Sequence, residues 1–264
     1  MGLSGRSIIR PKLRPDAGQR LFCFPHAGVG PSVFRGWADQ LAADAEVCLI
    51  QFPGREGRIR ETPFMSIAEL LPGLIEDMAA LLDRPYAFYG HSLGATVAFE
   101  CALNLRRNQL PQPVHIFVGA SPAPRLPWDH SPMRSLSEDR FLSEMEKRYG
   151  ALPPEVISDA EMRALVLPVL RADITMIEKY IYSLETPLDC DITAFGGLKD
   201  HMVKRSELEA WREQTSGRFR LQMFDGNHLF LKSHKDQLLI SVAGEMNLPP
   251  ETTGPLSEFK ETRT

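Results

Sequence analysis

The fold class predicted by the sequence is α/β: one domain over residues 1–264, with a mainly parallel central sheet flanked by helices. Three observations carry this. Short apolar or β-branched runs alternate with segments of helical spacing, the runs are almost continuously apolar, and one long stretch has no strand pattern. Strands that alternate with helices are joined by crossovers and so run parallel, and a parallel sheet covered on both faces loses the polar half of its alternation. At 264 residues, with 43% hydrophobic and 24% charged side chains, the chain can bury one large core, and neither a disordered nor a fibrous reading has support.

Residues 1–19 are polar with little periodicity and read as a loose arm. The strand candidates are then 21–24 (LFCF), 47–52 (VCLIQF), 86–90 (YAFYG), 114–120 (VHIFVGA), 190–197 (CDITAFGG) and 219–224 (FRLQMF). Helical spacing occupies Val33–Ala43, Ser66–Leu82, Ser92–Arg107, Lys204–Thr215 and Lys235–Met246. Between Leu126 and Glu185 the rhythm breaks, and Ser135 with Glu138 and Ser158 with Glu161 show the S-x-x-E spacing of a helix capping box. Residues 126–185 are therefore expected to form a helical insertion above the sheet's edge, either a lid or a purely structural layer. Residues 248–264 read as a second loose arm.

Thirty basic against 34 acidic side chains give a formal charge of -4 with no block of like charge, which disfavours a nucleic-acid role. No apolar run approaches the roughly 18 residues of a membrane helix, and the amino terminus lacks the apolar core of a signal peptide, so no membrane partner and a cytoplasmic location are expected. Cys23, Cys48, Cys101 and Cys190 are far apart without C-x-x-C spacing, as reduced core thiols would be, and no metal or nucleotide is implied.

Gly90-His91-Ser92-Leu93-Gly94 joins an apolar strand to a helical segment. This is G-x-S-x-G in the strand-turn-helix context it needs, where a sharp turn exposes the serine hydroxyl and flanking side chains would strike neighbouring elements. A serine needs a base, usually a histidine held by a carboxylate, and in the α/β-hydrolase arrangement the order is Ser, then Asp or Glu, then His on late loops. His228, after the strand FRLQMF, fits best among seven histidines. His91 points away from the serine, His115 lies in a strand as a core histidine, and His26 belongs to the first loop. His130 and His234 fall in the insertion and the last helix, and His201 adjoins the acid candidate. Asp200, after Gly196-Gly197-Leu198-Lys199, is the favoured carboxylate; Asp225, three residues before His228, is the rival and more suited to capping its own turn. In the first loop, Phe24-Pro25-His26-Ala27-Gly28-Val29-Gly30, small residues let the Ala27 N–H point at an oxyanion beside the Leu93 N–H. A phosphate loop is the competing reading, but G-x-x-x-x-G-K-[ST] is absent.

Together these residues resemble the type II thioesterases of polyketide and nonribosomal peptide assembly lines, whose relatives include the medium-chain thioesterase of animal fatty acid synthesis. The resemblance runs nearly end to end: FPHAG, Pro53-Gly54-Arg55-Glu56 with Arg58 and Glu61, FYGHSLGA, Leu170-Arg171-Ala172-Asp173, FGGLKD and FDGNHLFL. The chain departs at HAGVG, where HAGG is common, and at DGNH, where a second glycine usually precedes the histidine. The resemblance implies that Ser92 takes an acyl group from the phosphopantetheine arm of an acyl or peptidyl carrier protein and water releases it, with no cofactor. Arg55, Arg58 and Arg60 would then meet the acidic carrier, or else form a solvated or internally paired loop. Phe141, Leu142, Met145, Leu165 and Met176 would line an acyl tunnel or pack as lid core. Alternatives are an oxygen-ester hydrolase, an acyltransferase or a medium-chain fatty acyl thioesterase on the same fold, and a catalytically dead carrier-binding module.

Overall fold

The computed structural model describes residues 7–41, 43–126, 130–150, 152 and 154–247. In chain order the first half contains β1 (Ile8–Ile9), β2 (Gln19–Phe24), α1 (Trp37–Gln40), β3 (Ala45–Ile50), α2 (Ile67–Ala79), β4 (Tyr86–His91), α3 (Leu93–Arg107) and β5 (His115–Gly119). The second contains α4 (Glu138–Tyr149), α5 (Pro154–Ser158), α6 (Ala160–Glu178), β6 (Asp191–Gly197), α7 (Arg205–Glu209), β7 (Phe219–Phe224), α8 (Phe230–Ser233) and α9 (Lys235–Glu245).

The strands form one sheet in the order β1-β3-β2-β4-β5-β6-β7, parallel except for β1. Alternate residues of each strand feed opposite cores. Phe22, Phe24, Phe88, Ile116 and Ile192 pack with α2, α3 and Trp211, whereas Leu21, Cys23, Tyr89, Phe117 and Phe195 pack with Trp37 and with Leu238 and Val242 of α9. That period of two, covered on both faces, is why the strands read as continuous apolar runs. From β2 the chain crosses first to β3 on one side and then to β4 on the other, so the connections that leave the carboxyl ends of β2 and β4 turn to opposite sides. In open α/β sheets such a switch point is where ligands bind.

Four local features depart from the sequence reading. Residues 7–19 are not a loose arm: β1 pairs antiparallel with β3, and the Arg14 guanidinium donates to the carbonyls of Ala38 (2.8 Å) and Ala45 (2.9 Å). Residues 1–6 and the arm 248–264 lie outside the described residues. The helix expected over 33–43 is a 3₁₀ turn, Pro31–Phe34, and the single turn of α1, separated at Gly36 (φ 83°). The last crossover, expected over 204–215, is α7 followed by a 3₁₀ turn, Ala210–Gln214. In the insertion, α4 starts after Ser137 rather than Ser135, with no side-chain cap bond, and α6 is capped by Asp159 rather than Ser158, its Oδ1 accepting from the Glu161 (2.8 Å) and Met162 (3.2 Å) amides. A carboxylate there also meets the positive end of the helix dipole, so it outcompetes the neighbouring hydroxyl. A small cluster of Met133, Phe141, Met145, Leu170 and Ile174 holds the insertion together.

Candidate active site

β4 ends at His91 and α3 begins at Leu93, so the whole turn between them is Ser92, at φ 52°, ψ -118°. Such a backbone costs about 1–3 kcal/mol and persists only when its surroundings dictate it. Here the Ser92 N–H donates to the Gly119 carbonyl (2.7 Å), and the Ser92 carbonyl accepts from Ala95 (2.9 Å). A methyl group on Gly90 would overlap the Gly94 carbonyl, and one on Gly94 would overlap the Phe24 carbonyl, which fixes both positions of the motif as glycine.

The loops after β6 and β7 bring the other two groups to the serine. His228 Nε2 lies 3.1 Å from Ser92 Oγ, and His228 Nδ1–H donates to Asp200 Oδ2 at 2.8 Å. Asp200 Oδ1 accepts from the Met202 (2.8 Å) and Val203 (3.3 Å) amides, so the carboxylate is held on both oxygens. His91 points away from the serine. Its Nε2–H donates to the His228 carbonyl (2.7 Å), its Nδ1 accepts from Tyr89 Oη (3.2 Å), and burial holds it neutral, well below the ordinary histidine range. The Tyr149 ring, from the end of α4, meets the His228 ring edge-on at 5.1 Å.

The remaining candidates are elsewhere. Asp225 is exposed, 2.9 Å from Lys199 Nζ, and its hydrogen bond to that ammonium lowers its pKa. His115 is buried against Thr193 Oγ1 (2.9 Å), His130 meets the Met202 carbonyl (3.3 Å), His201 is exposed, and His234 contacts Ser233. His26 is buried beside the loop backbone, its pKa pushed down to about 3 by desolvation, and its Nδ1–H donates to the Ala27 carbonyl (3.0 Å). Among the described residues, neither the Ala27 nor the Leu93 N–H meets a protein acceptor.

Of the two readings of Arg55, Arg58 and Arg60, a partner-facing set and an internally paired loop, the second holds for Arg55 and Arg58. Arg55 is buried and forms a two-pronged ion pair with Asp173 of α6, at 2.7 and 2.9 Å. Arg58 pairs with Glu61 (2.6 Å) and donates to the Gln51 carbonyl (2.9 Å), leaving Arg60 exposed. The Arg55–Asp173 link spans 118 residues of sequence, so no local pattern announces it. Nor did any pattern mark Tyr149, which sits on the polar-rich α4.

Two cavities meet at Ser92 and His228, divided by Tyr149 and Ile177, which border both. One, of about 300 Å³, carries polar groups such as Thr96, Ser121 and Glu207 and includes Leu93. The other, of about 170 Å³, runs from Ala27 and Gly28 under the insertion and is walled by Met145, Val156, Leu170 and Ile174. Of the five insertion residues expected either at a tunnel or in the lid core, only Met145 borders these cavities. Phe141 and Leu142 are buried in the insertion, Leu165 faces solvent and Met176 joins the main core. No helix among the described residues is long and apolar enough to cross a membrane.

The family model for the thioesterase domain matches residues 19–244. The gramicidin S biosynthesis protein GrsT of Aneurinibacillus migulanus is 39% identical over 91% of this chain and 94% of its own length. The human medium-chain S-acyl fatty acid synthase thioesterase is 30% identical over 86% of each. Among solved structures, RedJ, the thioesterase of the prodiginine pathway of Streptomyces coelicolor, superposes with a TM-score of 0.81 at 35% identity, covering 90% of both chains.

Proposed function

Because the chain belongs to the thioesterase domain family, we propose that it is a serine thioester hydrolase that removes acyl groups from the phosphopantetheine arm of acyl or peptidyl carrier proteins, in editing or release during polyketide or nonribosomal peptide synthesis. The observation that carries this reading is the chain of contacts from Ser92 Oγ through His228 to Asp200, at 3.1 and 2.8 Å, where two unlike cavities meet. A thioester joined to an acyl chain on one side and an amide-bearing arm on the other needs such a pair of cavities. The site chemistry also agrees with the names of the gramicidin and prodiginine relatives.

In this mechanism the Ser92 oxygen attacks the thioester carbonyl while its proton passes to His228 Nε2. Asp200 keeps the proton on Nδ1 and balances the imidazolium charge. The Ala27 and Leu93 N–H groups receive the developing oxyanion. Collapse breaks the C–S bond, and the departing sulfur takes the proton from Nε2. Water then gives a proton to His228 and attacks the acyl-serine; a second collapse returns the proton to Ser92 and frees the acid. This reading takes the partner to be a transient one, a phosphopantetheinylated carrier, and the location to be the cytoplasm, with the synthases the enzyme serves.

Ser92→Ala is expected to lower turnover of an acyl-pantetheine thioester by at least about a thousandfold; a variant that keeps activity removes the assignment. Matched thioesters and oxygen esters, assayed with and without an acceptor alcohol, separate hydrolysis of thioesters from esterase or acyltransferase chemistry. The human relative's name favours one second reading, a medium-chain fatty acyl thioesterase, and a panel of acyl carriers of graded chain length decides it.

A further inference from the structure

The mechanism leaves unused three residues from the motifs that carry the family resemblance: the histidine of FPHAG, the arginine of PGRE and the aspartate of LRAD. We propose that His26, Arg55 and Asp173 are positioning residues for the oxyanion donor at Ala27, acting together on the peptide that follows it. The proposal rests on the reading of Ser92 as nucleophile and the Ala27 N–H as donor.

The Ala27–Gly28 peptide is held at both edges. Its carbonyl accepts from His26 Nδ1–H at 3.0 Å, and its N–H, that of Gly28, donates to Asp173 Oδ2 at 2.7 Å. A peptide unit is planar, so two bonds on opposite edges fix its orientation. The Ala27 N–H lies only two dihedrals away, across one Cα. On the other side the chain is anchored by β2, whose Phe24 pairs with Gly90 of the elbow strand. With both flanks fixed, the Ala27 N–H has one direction.

Asp173 needs support of its own, since it is buried and charged. Arg55 supplies it through both terminal nitrogens and also donates to the carbonyls of Val29 (3.2 Å) and Pro53 (3.2 Å), tying the first loop to the PGRE turn. Gly28 has φ 79°, and a methyl group there would strike Leu170 at 2.7 Å, so α6 seats directly on the loop. His26 can do its part only with a proton on Nδ1, because a carbonyl accepts but does not donate. Burial keeps the ring uncharged.

The test uses two variants: His26→Phe, which keeps a ring and removes the donor, and Arg55→Met with Asp173→Leu, which removes both buried charges together so that neither is left alone. For each, kcat and KM on an acyl-pantetheine thioester are measured. So are the affinities for a trifluoromethyl ketone, which forms a tetrahedral oxyanion on Ser92, and for a thioether analogue that does not. Positioning predicts a kcat lowered between about tenfold and a thousandfold, the upper end being that of outright loss of one oxyanion donor. Ketone affinity should fall by the same factor, and thioether affinity should stay within about twofold. A folded variant with wild-type kcat and ketone affinity overturns the proposal, as does a parallel fall in affinity for both analogues. Should the double variant fail to fold, His26→Phe decides alone. Wild-type protein that neither hydrolyses the thioester nor binds a fluorophosphonate at Ser92 defeats the underlying reading as well. Active wild type with unaffected variants defeats the positioning role only.

Discussion

Asp200 and Asp225 occupy neighbouring loops within reach of the same histidine, and their surroundings assign them opposite work. The Asp200 carboxylate is buried and receives two backbone amides on one oxygen and the imidazole on the other. Asp225 faces solvent and a lysine. A carboxylate orients a ring only when it is itself fixed, so Asp200→Asn should lower kcat by about a hundredfold to ten-thousandfold through loss of the tautomer and its charge balance. Asp225→Asn should leave kcat within about twofold, because an exposed pair contributes little to its neighbours. Steady-state kinetics on the two variants check this, and equal losses would remove the assignment of Asp200. The sequence already favoured this residue, because its glycine-rich loop can turn back to the histidine whereas three residues on one turn cannot. The same local reasoning could not find Asp173 as the partner of Arg55: each charge lacks a partner within its own segment, and only tertiary packing brings them within 2.7 Å.

At the scale of elements, α6 changes character at Pro168. Before it, Ala160–Leu165 are exposed or half-buried; after it, Val169, Leu170 and Ala172–Met176 are buried against the first loop, the PGRE turn and the core. Proline has no N–H and its ring crowds the carbonyl four residues earlier, so the helix loses the bond to Ala164 where its environment changes. The half that carries Asp173 belongs with the catalytic scaffold, while the other half, with α4 and α5, covers the smaller cavity. Native-state hydrogen exchange should therefore show amides at 160–167 opening with much lower free energy than those at 169–178. Uniform protection along the helix would contradict the division. The insertion and its helical nature were legible in the missing strand pattern, and so were the six parallel strands. What was not legible turned on competition that spacing does not encode: which of two adjacent polar residues caps a helix, where Gly36 stops a short one, and that two residues of a polar segment, Ile8 and Ile9, add an edge strand.

For the molecule as a whole, the notable electrostatic feature is three histidines held uncharged. Burial pushes His26 down to about 3 and His115 to about 4, and places His91 well below its usual range. Unfolded, each would take a proton near pH 6.5. Between that pH and the native values the unfolded chain therefore binds more protons than the folded one, so stability rises with pH in this window. Each histidine contributes its full stabilisation above the unfolded value and loses it as pH falls, at about 1.4 kcal/mol per pH unit, or about 4 kcal/mol per unit for the three. Glu100 acts in the opposite sense, since burial raises its carboxyl and lets the native state hold a proton, offsetting at most one of the three. Against a typical domain stability of about 5–15 kcal/mol, the slope is steep enough to unfold the protein within a few pH units of neutrality. The urea midpoint should be nearly level from pH 7 to 8 and fall sharply below about pH 6. His115→Gln, which retains a hydrogen-bonding partner for Thr193 and removes one titrating ring, should reduce the slope by roughly a third. A midpoint that stays constant down to pH 4.5 would mean that these rings are charged or solvated in the native protein.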